Sequence, residues 1–80
     1  MQAGYYIAQF IFNKLNAMGW VSARNWVANL VGVTLATTIM NVLAAGGVVG
    51  LGAYFGFHSY LYGFFAGPIG AVVLGVVGSL

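Results

Sequence analysis

Few residues in this chain could do acid–base or ionic chemistry. Lys14 and Arg24 are the two cations and His58 is the single histidine, and the 80 residues include no Asp, Glu or Cys. Without carboxylates the chain cannot form a paired-carboxylate hydrolase, a Ser-His-Asp triad or a carboxylate metal site. Without cysteine it has no thiolate nucleophile, disulfide or thiolate zinc site. We therefore expect that the protein is not an enzyme and uses no catalytic cofactor.

The two cations flank the junction between the first two predicted helices, close to Trp20 and Trp26. Long cationic side chains beside tryptophan are typical of a membrane interface, where the charged end reaches water. Arginine is also well suited to coordinating a lipid phosphate. Both interpretations stay open, and the candidate residues for contact with a lipid head group are Lys14, Arg24 and His58. An anion from elsewhere must balance the net charge of +2, since the chain has no acidic side chain.

His58 lies directly between Phe57 and Ser59. A histidine in such surroundings could ligate a haem or a chlorophyll-type magnesium. It could equally be the polar residue of a turn at a membrane surface. Because the sequence offers no second ligand, we favour the turn.

The elements that position these residues must be very apolar. Hydrophobic residues make up 62% of the chain, charged residues 2%, and the mean hydropathy is +1.02. An ordinary soluble domain has about 25% charged residues. Residues 25–80 contain no charged side chain and are long enough for two membrane helices of about 20 residues each.

A first, amphipathic helix is predicted over about residues 4–19. Gln9, Asn13 and Asn16 form a narrow polar stripe among apolar residues, and Gly19 is a plausible end. Ser22 is a candidate N-cap for the next helix.

The long apolar run needs one break, and the sequence offers Gly46-Gly47 or residues 56–59. We favour 56–59, because a break at Gly46 would make Pro68 a second break and leave a segment too short to span. This predicts a long helix over about 23–55, a turn at 56–59 and a helix over about 59–79, all in one domain of residues 1–80. The fold class is therefore all-α, a transmembrane-type helical hairpin preceded by a shorter N-terminal amphipathic helix. Aromatic residues cluster near both ends of the long helix, about 42 Å apart, as in two membrane interfaces.

Two patterns indicate helix packing. Small residues recur every fourth position in the last predicted helix, which gives a ridge where another backbone could approach closely; they are Gly63, Gly67, Ala71, Gly75 and Ser79. In the long helix Thr34, Thr37, Thr38 and Asn41 form a polar seam. The threonines can bond their own helix backbone. Asn41 needs a partner, within the chain or in another subunit.

A hairpin of this size is similar in outline to the rotor-ring subunit of ATP synthases, but that family needs a carboxylate that is absent here. Holins usually carry a charged tail, which is also missing. Residues 52–78 run GAYFGFHS, then YLYGFFAGPIGAVVLGVVG after Ser59. This apolar helix with an aromatic and glycine turn, followed by a Gly/Ala/Val-rich helix, resembles the pilins of conjugation and type IV secretion systems, including those of archaeal DNA-exchange systems.

The resemblance implies a subunit that waits in the cell membrane and is drawn by secretion machinery into a hollow, extracellular helical pilus. It implies a homopolymer that carries phospholipid or another polar lipid and transfers DNA without sequence-specific binding. The turn would face the lumen, with residues Gly56, Phe57, His58 and Ser59. The alternative is a small integral membrane subunit of a larger pigment or respiratory complex. The sequence does not distinguish a closed ring from a filament.

Overall fold

A computed structural model of the chain describes residues 3–69, and the side chains of residues 3–67. Four α-helices follow one another: α1 Ala3–Met18, α2 Trp20–Val31, α3 Val33–Phe57 and α4 Tyr62–Ile69. A short 3₁₀ turn, Ser59–Leu61, joins α3 to α4. No strand occurs among these residues, so the predicted all-α class is confirmed for this part of the chain. Most of the helix predicted over 59–79 lies outside it.

Glycines alone separate the first three helices. Gly19 ends α1 and Gly32 ends α2, with φ/ψ of 84°/170° and 91°/160°. This backbone region is open essentially only to glycine. A Cβ on either glycine would meet nothing within 4 Å. Backbone conformation, not crowding, is therefore what requires glycine at both positions.

The prediction of one helix over 23–55 is wrong, because α2 stops at Val31 and α3 starts at Val33. Ser22 does not cap a helix either, since α2 begins earlier, after Gly19. The predicted end of the first helix at Gly19 is confirmed.

A further break interrupts α3 at Gly47, where φ is 67° and ψ is −164°. A Cβ on Gly50 would lie 4.0 Å from the carbonyl oxygen of Val42. In a straight α-helix, residues eight positions apart are about 12 Å apart along the axis. The helix is therefore bent sharply at Gly47, and the choice of 56–59 as the one break in the apolar run is corrected: both sites are used.

The core forms where α1 and α2 pack against α3, with α4 contacting α1 and α2. The largest fully buried side chains are Phe55, Phe65, Ile7, Ile11, Ile39, Met40, Leu51, Leu61 and Val27. Burying each such side chain contributes about 1.5–3 kcal/mol.

Within residues 3–69, α3 is the helix that is long and apolar enough to cross a membrane. Only 22% of its most apolar 18-residue window is buried inside the chain. Its two arms, 33–46 and 48–57, are about 21 Å and 15 Å long at 1.5 Å per residue. Because a hydrocarbon core is about 30 Å thick, neither arm could cross it alone.

Candidate functional site

Lys14 lies on the faces of two aromatic rings where α1 meets α2. Its Nζ is 5.1 Å from the centroid of the Trp26 ring and 5.6 Å from that of Phe10. The two rings contact each other at 5.7 Å. A cation so close to aromatic faces is attracted by the ring quadrupoles. The junction therefore fixes the Lys14 ammonium by aromatic contacts, and no acidic side chain exists in the sequence to pair with it.

An open recess of about 270 Å³ adjoins this lysine. It is lined by Phe10, Asn13, Lys14 and Ala17, one side of α1. Gln9 Nε2 donates to Asn13 Oδ1 at 3.1 Å. That bond occupies the amide oxygen and leaves Asn13 Nδ2 able to donate to a ligand. The recess thus combines an ammonium, an amide donor and apolar wall.

Arg24 belongs to a different neighbourhood. Its Nη2 donates to Asn25 Oδ1 at 3.0 Å, and its side chain is half-buried. It does not line the recess beside Lys14. Among the described contacts, the three candidate head-group residues Lys14, Arg24 and His58 share no common pocket.

Aromatic residues from the two predicted interfacial groups meet inside the molecule. The Trp26 ring of α2 is 6.5 Å from Phe65 of α4, and Phe65 lies edge-on to Phe55 of α3 at 5.5 Å. The prediction that these groups mark opposite membrane interfaces is therefore wrong for this conformation. The bends at the glycines bring Trp26 to the far end of the predicted long helix.

The predicted turn is built around His58. Gly56 and Phe57 end α3, His58 is the link, and Ser59 opens the 3₁₀ turn. The backbone N–H of His58 donates to the Phe55 carbonyl at 3.1 Å, and the Leu61 N–H donates to the His58 carbonyl at 2.9 Å. These bonds close the end of α3, and they leave Phe57 88% exposed.

The imidazole of His58 is held by Tyr54. Nδ1 lies 2.7 Å from the Tyr54 carbonyl oxygen, and the two rings stack at 4.2 Å. Because a carbonyl oxygen can only accept, Nδ1 carries the hydrogen in this contact. Nε2 is then the nitrogen with a lone pair in the neutral ring. This role of Tyr54 was not predicted from the sequence, although a tyrosine four residues before a helix-ending histidine is a usable signal.

The polar seam of α3 faces outward. Thr37 Oγ1 donates to the Val33 carbonyl at 2.9 Å and Thr38 Oγ1 to the Thr34 carbonyl at 3.2 Å, so these hydroxyls are satisfied within the helix. Asn41 is exposed, and its side chain has no hydrogen-bond partner among the described residues. An intramolecular partner for Asn41 is therefore not found in this part of the chain.

The small-residue ridge is seen at its first two positions. Gly63 and Gly67 are exposed, and a Cβ on either would meet nothing within 4 Å. The other three residues, Ala71, Gly75 and Ser79, lie outside the described residues. The visible part of the ridge is thus uncovered in the single chain.

Comparisons with known protein families, with curated proteins and with solved structures found no match to this chain.

Proposed function

We propose that this chain is a structural subunit that polymerises from the membrane into a hollow, helical, conjugative-type pilus for DNA transfer. Before assembly it forms a pool in the cell membrane, and after assembly it lies outside the cell. Its main partner is itself, with secretion machinery for export and DNA as cargo bound without sequence specificity. The work it does is structural, and it needs no catalytic group.

The observation that carries this proposal is the exposure of α3. A helix apolar enough to cross a membrane is only 22% buried over its most apolar window. Apolar surface of this kind must be covered by lipid or by other protein. Identical contacts repeated from copy to copy generate rings or filaments, so self-assembly supplies the cover from a single kind of chain.

The assembled form is proposed to be a helical hairpin that follows an amphipathic N-terminal helix. One side of the hairpin is α3, and the other side begins at α4, beyond the turn at His58. The contact between Phe55 and Phe65 joins the two sides of this turn at 5.5 Å. In the resembling pilins the turn faces the lumen, which would place Gly56, Phe57, His58 and Ser59 there.

A polar membrane lipid is proposed to accompany each subunit. The chain carries a net charge of +2 and no acidic side chain, so an assembly of many copies accumulates positive charge. Anionic head groups near Lys14, Arg24 or His58 would neutralise it. The lipid tails would cover apolar surface that neighbouring subunits leave open.

Deletion and complementation test the function. A strain that lacks the chain should lose DNA transfer and the filaments shed by shearing, and the wild-type chain should restore both. Chains with Gly67→Leu should insert into the membrane but restore neither, because the small-residue ridge is blocked. Normal transfer in the deletion strain would contradict the proposal.

His58 supports one second candidate, a subunit of a pigment or respiratory complex. Metal-ligating histidines commonly donate a hydrogen bond from the N–H of one ring nitrogen to a carbonyl oxygen, as Nδ1 does to Tyr54 here. They bind the metal through the other ring nitrogen. In that case the purified membrane protein should show a visible absorbance band that is lost in His58→Ala. A colourless wild-type protein would remove this candidate.

A further inference from the structure

The recess beside Lys14 has the features of an anion site. Three of its properties matter together: a fixed ammonium, a free amide donor from Asn13, and apolar wall from Phe10 and Ala17. The sequence offers no acidic side chain to neutralise Lys14, since there is no Asp or Glu. The ammonium rests on the rings of Trp26 and Phe10 at 5.1 and 5.6 Å, which orders it without satisfying its hydrogen-bond donors.

We infer that this recess binds an oxyanion of the phosphate or carboxylate class, and that it prefers an anionic to a zwitterionic head group. Charge-assisted bonds from Lys14 and from the Asn13 amide both require an acceptor, which an oxyanion supplies and a cation does not. The apolar wall accommodates the carbon atoms next to such a group. This inference rests on the proposed function in one respect: the membrane location would make a lipid head group the source of the anion.

The selectivity has a separate physical cause. A choline-type ammonium binds best on the face of an aromatic ring. Lys14 already lies against Phe10 and Trp26, and its charge repels a second cation. In a zwitterionic lipid, repulsion between the cationic end and Lys14 therefore offsets the attraction between the phosphate and Lys14. A glycerol-type head group makes the phosphate contact without this repulsion.

Trp26 gives a direct optical reading of the site. The chain has two tryptophans, so Trp20→Phe leaves Trp26 as the only one. The full-length protein is kept unassembled in uncharged detergent micelles. It is titrated separately with inorganic phosphate, dihexanoyl phosphatidylglycerol and dihexanoyl phosphatidylcholine at fixed ionic strength. We expect a saturable change in Trp26 fluorescence with at least tenfold tighter binding of the glycerol lipid than of the choline lipid.

Three variants separate a specific site from general electrostatic attraction. Lys14→Gln should weaken binding at least tenfold. The double variant Lys14→Gln/Asn16→Lys restores the net charge at an exposed position of the same helix, and it should not restore affinity. Lys14→Arg keeps both the charge and the aromatic contact, so it should bind within about threefold of wild type and shows that the position can be changed without unfolding α1.

The outcomes divide cleanly. Saturation by inorganic phosphate alone supports the site and identifies a free oxyanion, and saturation by the glycerol lipid alone supports it and identifies a membrane-borne one. Equal binding of the choline lipid, full recovery in the double variant, loss in Lys14→Arg, or no response to either anion would overturn the inference. The titration uses unassembled protein and therefore reports on the site alone. If the wild-type chain binds the anion in micelles but forms no pili in cells, the proposed function is rejected and the site stands.

Discussion

Gly4 of α1 and Gly52 of α3 face each other where the two helices cross. A Cβ on Gly4 would lie 3.0 Å from the Gly52 carbonyl oxygen and 2.9 Å from Cβ of Phe55. A Cβ on Gly52 would lie 3.3 Å from Cα of Tyr5. These are backbone-level contacts, which two side chains of any size would prevent. Glycine thus sets how closely the two helices can approach.

Gly4→Ala should destabilise the fold by about 1–3 kcal/mol, because the added methyl overpacks a contact that backbone atoms cannot relieve. Gly63→Ala is the matched control: the same change in an exposed helix position with nothing within 4 Å. It should be neutral or stabilise by about 0.5–1 kcal/mol, since alanine is the better helix former. Denaturant unfolding in micelles, followed by circular dichroism, measures both. Equal effects in the two variants would mean that the crossing is not tight.

Gly47→Ala and Gly46→Ala test the bend in α3. Neither added Cβ would meet an atom within 4 Å, but only Gly47 has a positive φ, of 67°. Alanine at Gly47 should therefore cost about 1–3 kcal/mol in the bent form and favour straightening, whereas alanine at Gly46 should keep the bend. Spin labels on cysteines placed at the exposed positions Thr37 and Ala53 report the angle. A straight helix would separate these backbone positions by about 24 Å, and only Gly47→Ala should lengthen the wild-type distance towards that of a straight helix.

Asn41→Leu should weaken self-association in bilayers by about 0.6–2 kcal/mol, since an exposed carboxamide in lipid gains from bonding to another helix. Thr38→Val is the control, because the Thr38 hydroxyl already donates to the Thr34 carbonyl at 3.2 Å. Energy transfer between donor- and acceptor-labelled copies, diluted stepwise with lipid, gives both association constants. An unchanged constant for Asn41→Leu would assign Asn41 to another role.

His58 variants should rank by the charge that they place beside the carbonyls at the end of α3. His58→Ala loses one hydrogen bond and a stacked ring, and we expect a mild loss of about 0.5–1.5 kcal/mol in stability and nearly normal filament yield. His58→Arg should be tolerated in the turn and, in the proposed pilus, should make the lumen more positive. His58→Asp places a carboxylate beside the carbonyls at the end of α3, and it should reduce both quantities most. Losses in Ala as severe as those in Asp would indicate that the imidazole itself binds a ligand.

Local sequence signals predicted what depends on local structure. The helical class, the end of the first helix at Gly19 and a turn near His58 follow from apolar length and from residues that stop helices. Thr37 and Thr38 of the seam also donate to the backbone carbonyls four residues earlier, as predicted. None of these features needs knowledge of how distant segments pack.

The break at Gly32 was not predicted, and the candidate break at Gly46-Gly47 was rejected only because of the length of the segment it would leave. The chain has 13 glycines, and most of those described continue a helix. Which glycine adopts a positive φ depends on how distant segments pack once the chain folds back, as Trp26 does on Phe65 and Gly4 on Gly52. The contact of Lys14 with Trp26 could not be predicted for a related reason, since it needs α2 to fold back onto α1. The sequence signal for it was Phe10 four residues before Lys14, with a second aromatic residue, Trp26, beyond Gly19.

Electron microscopy of the material sheared from cells that express the chain tests the central proposal most directly. The proposal predicts hollow helical tubes in which a map shows this chain as the repeating subunit, with α3 covered by neighbouring copies or lipid. The same preparation from cells expressing Gly67→Leu should contain no tubes, although the chain is present in the membrane. Membrane-inserted wild-type protein with no tubes, or tubes built entirely from another protein, would contradict it.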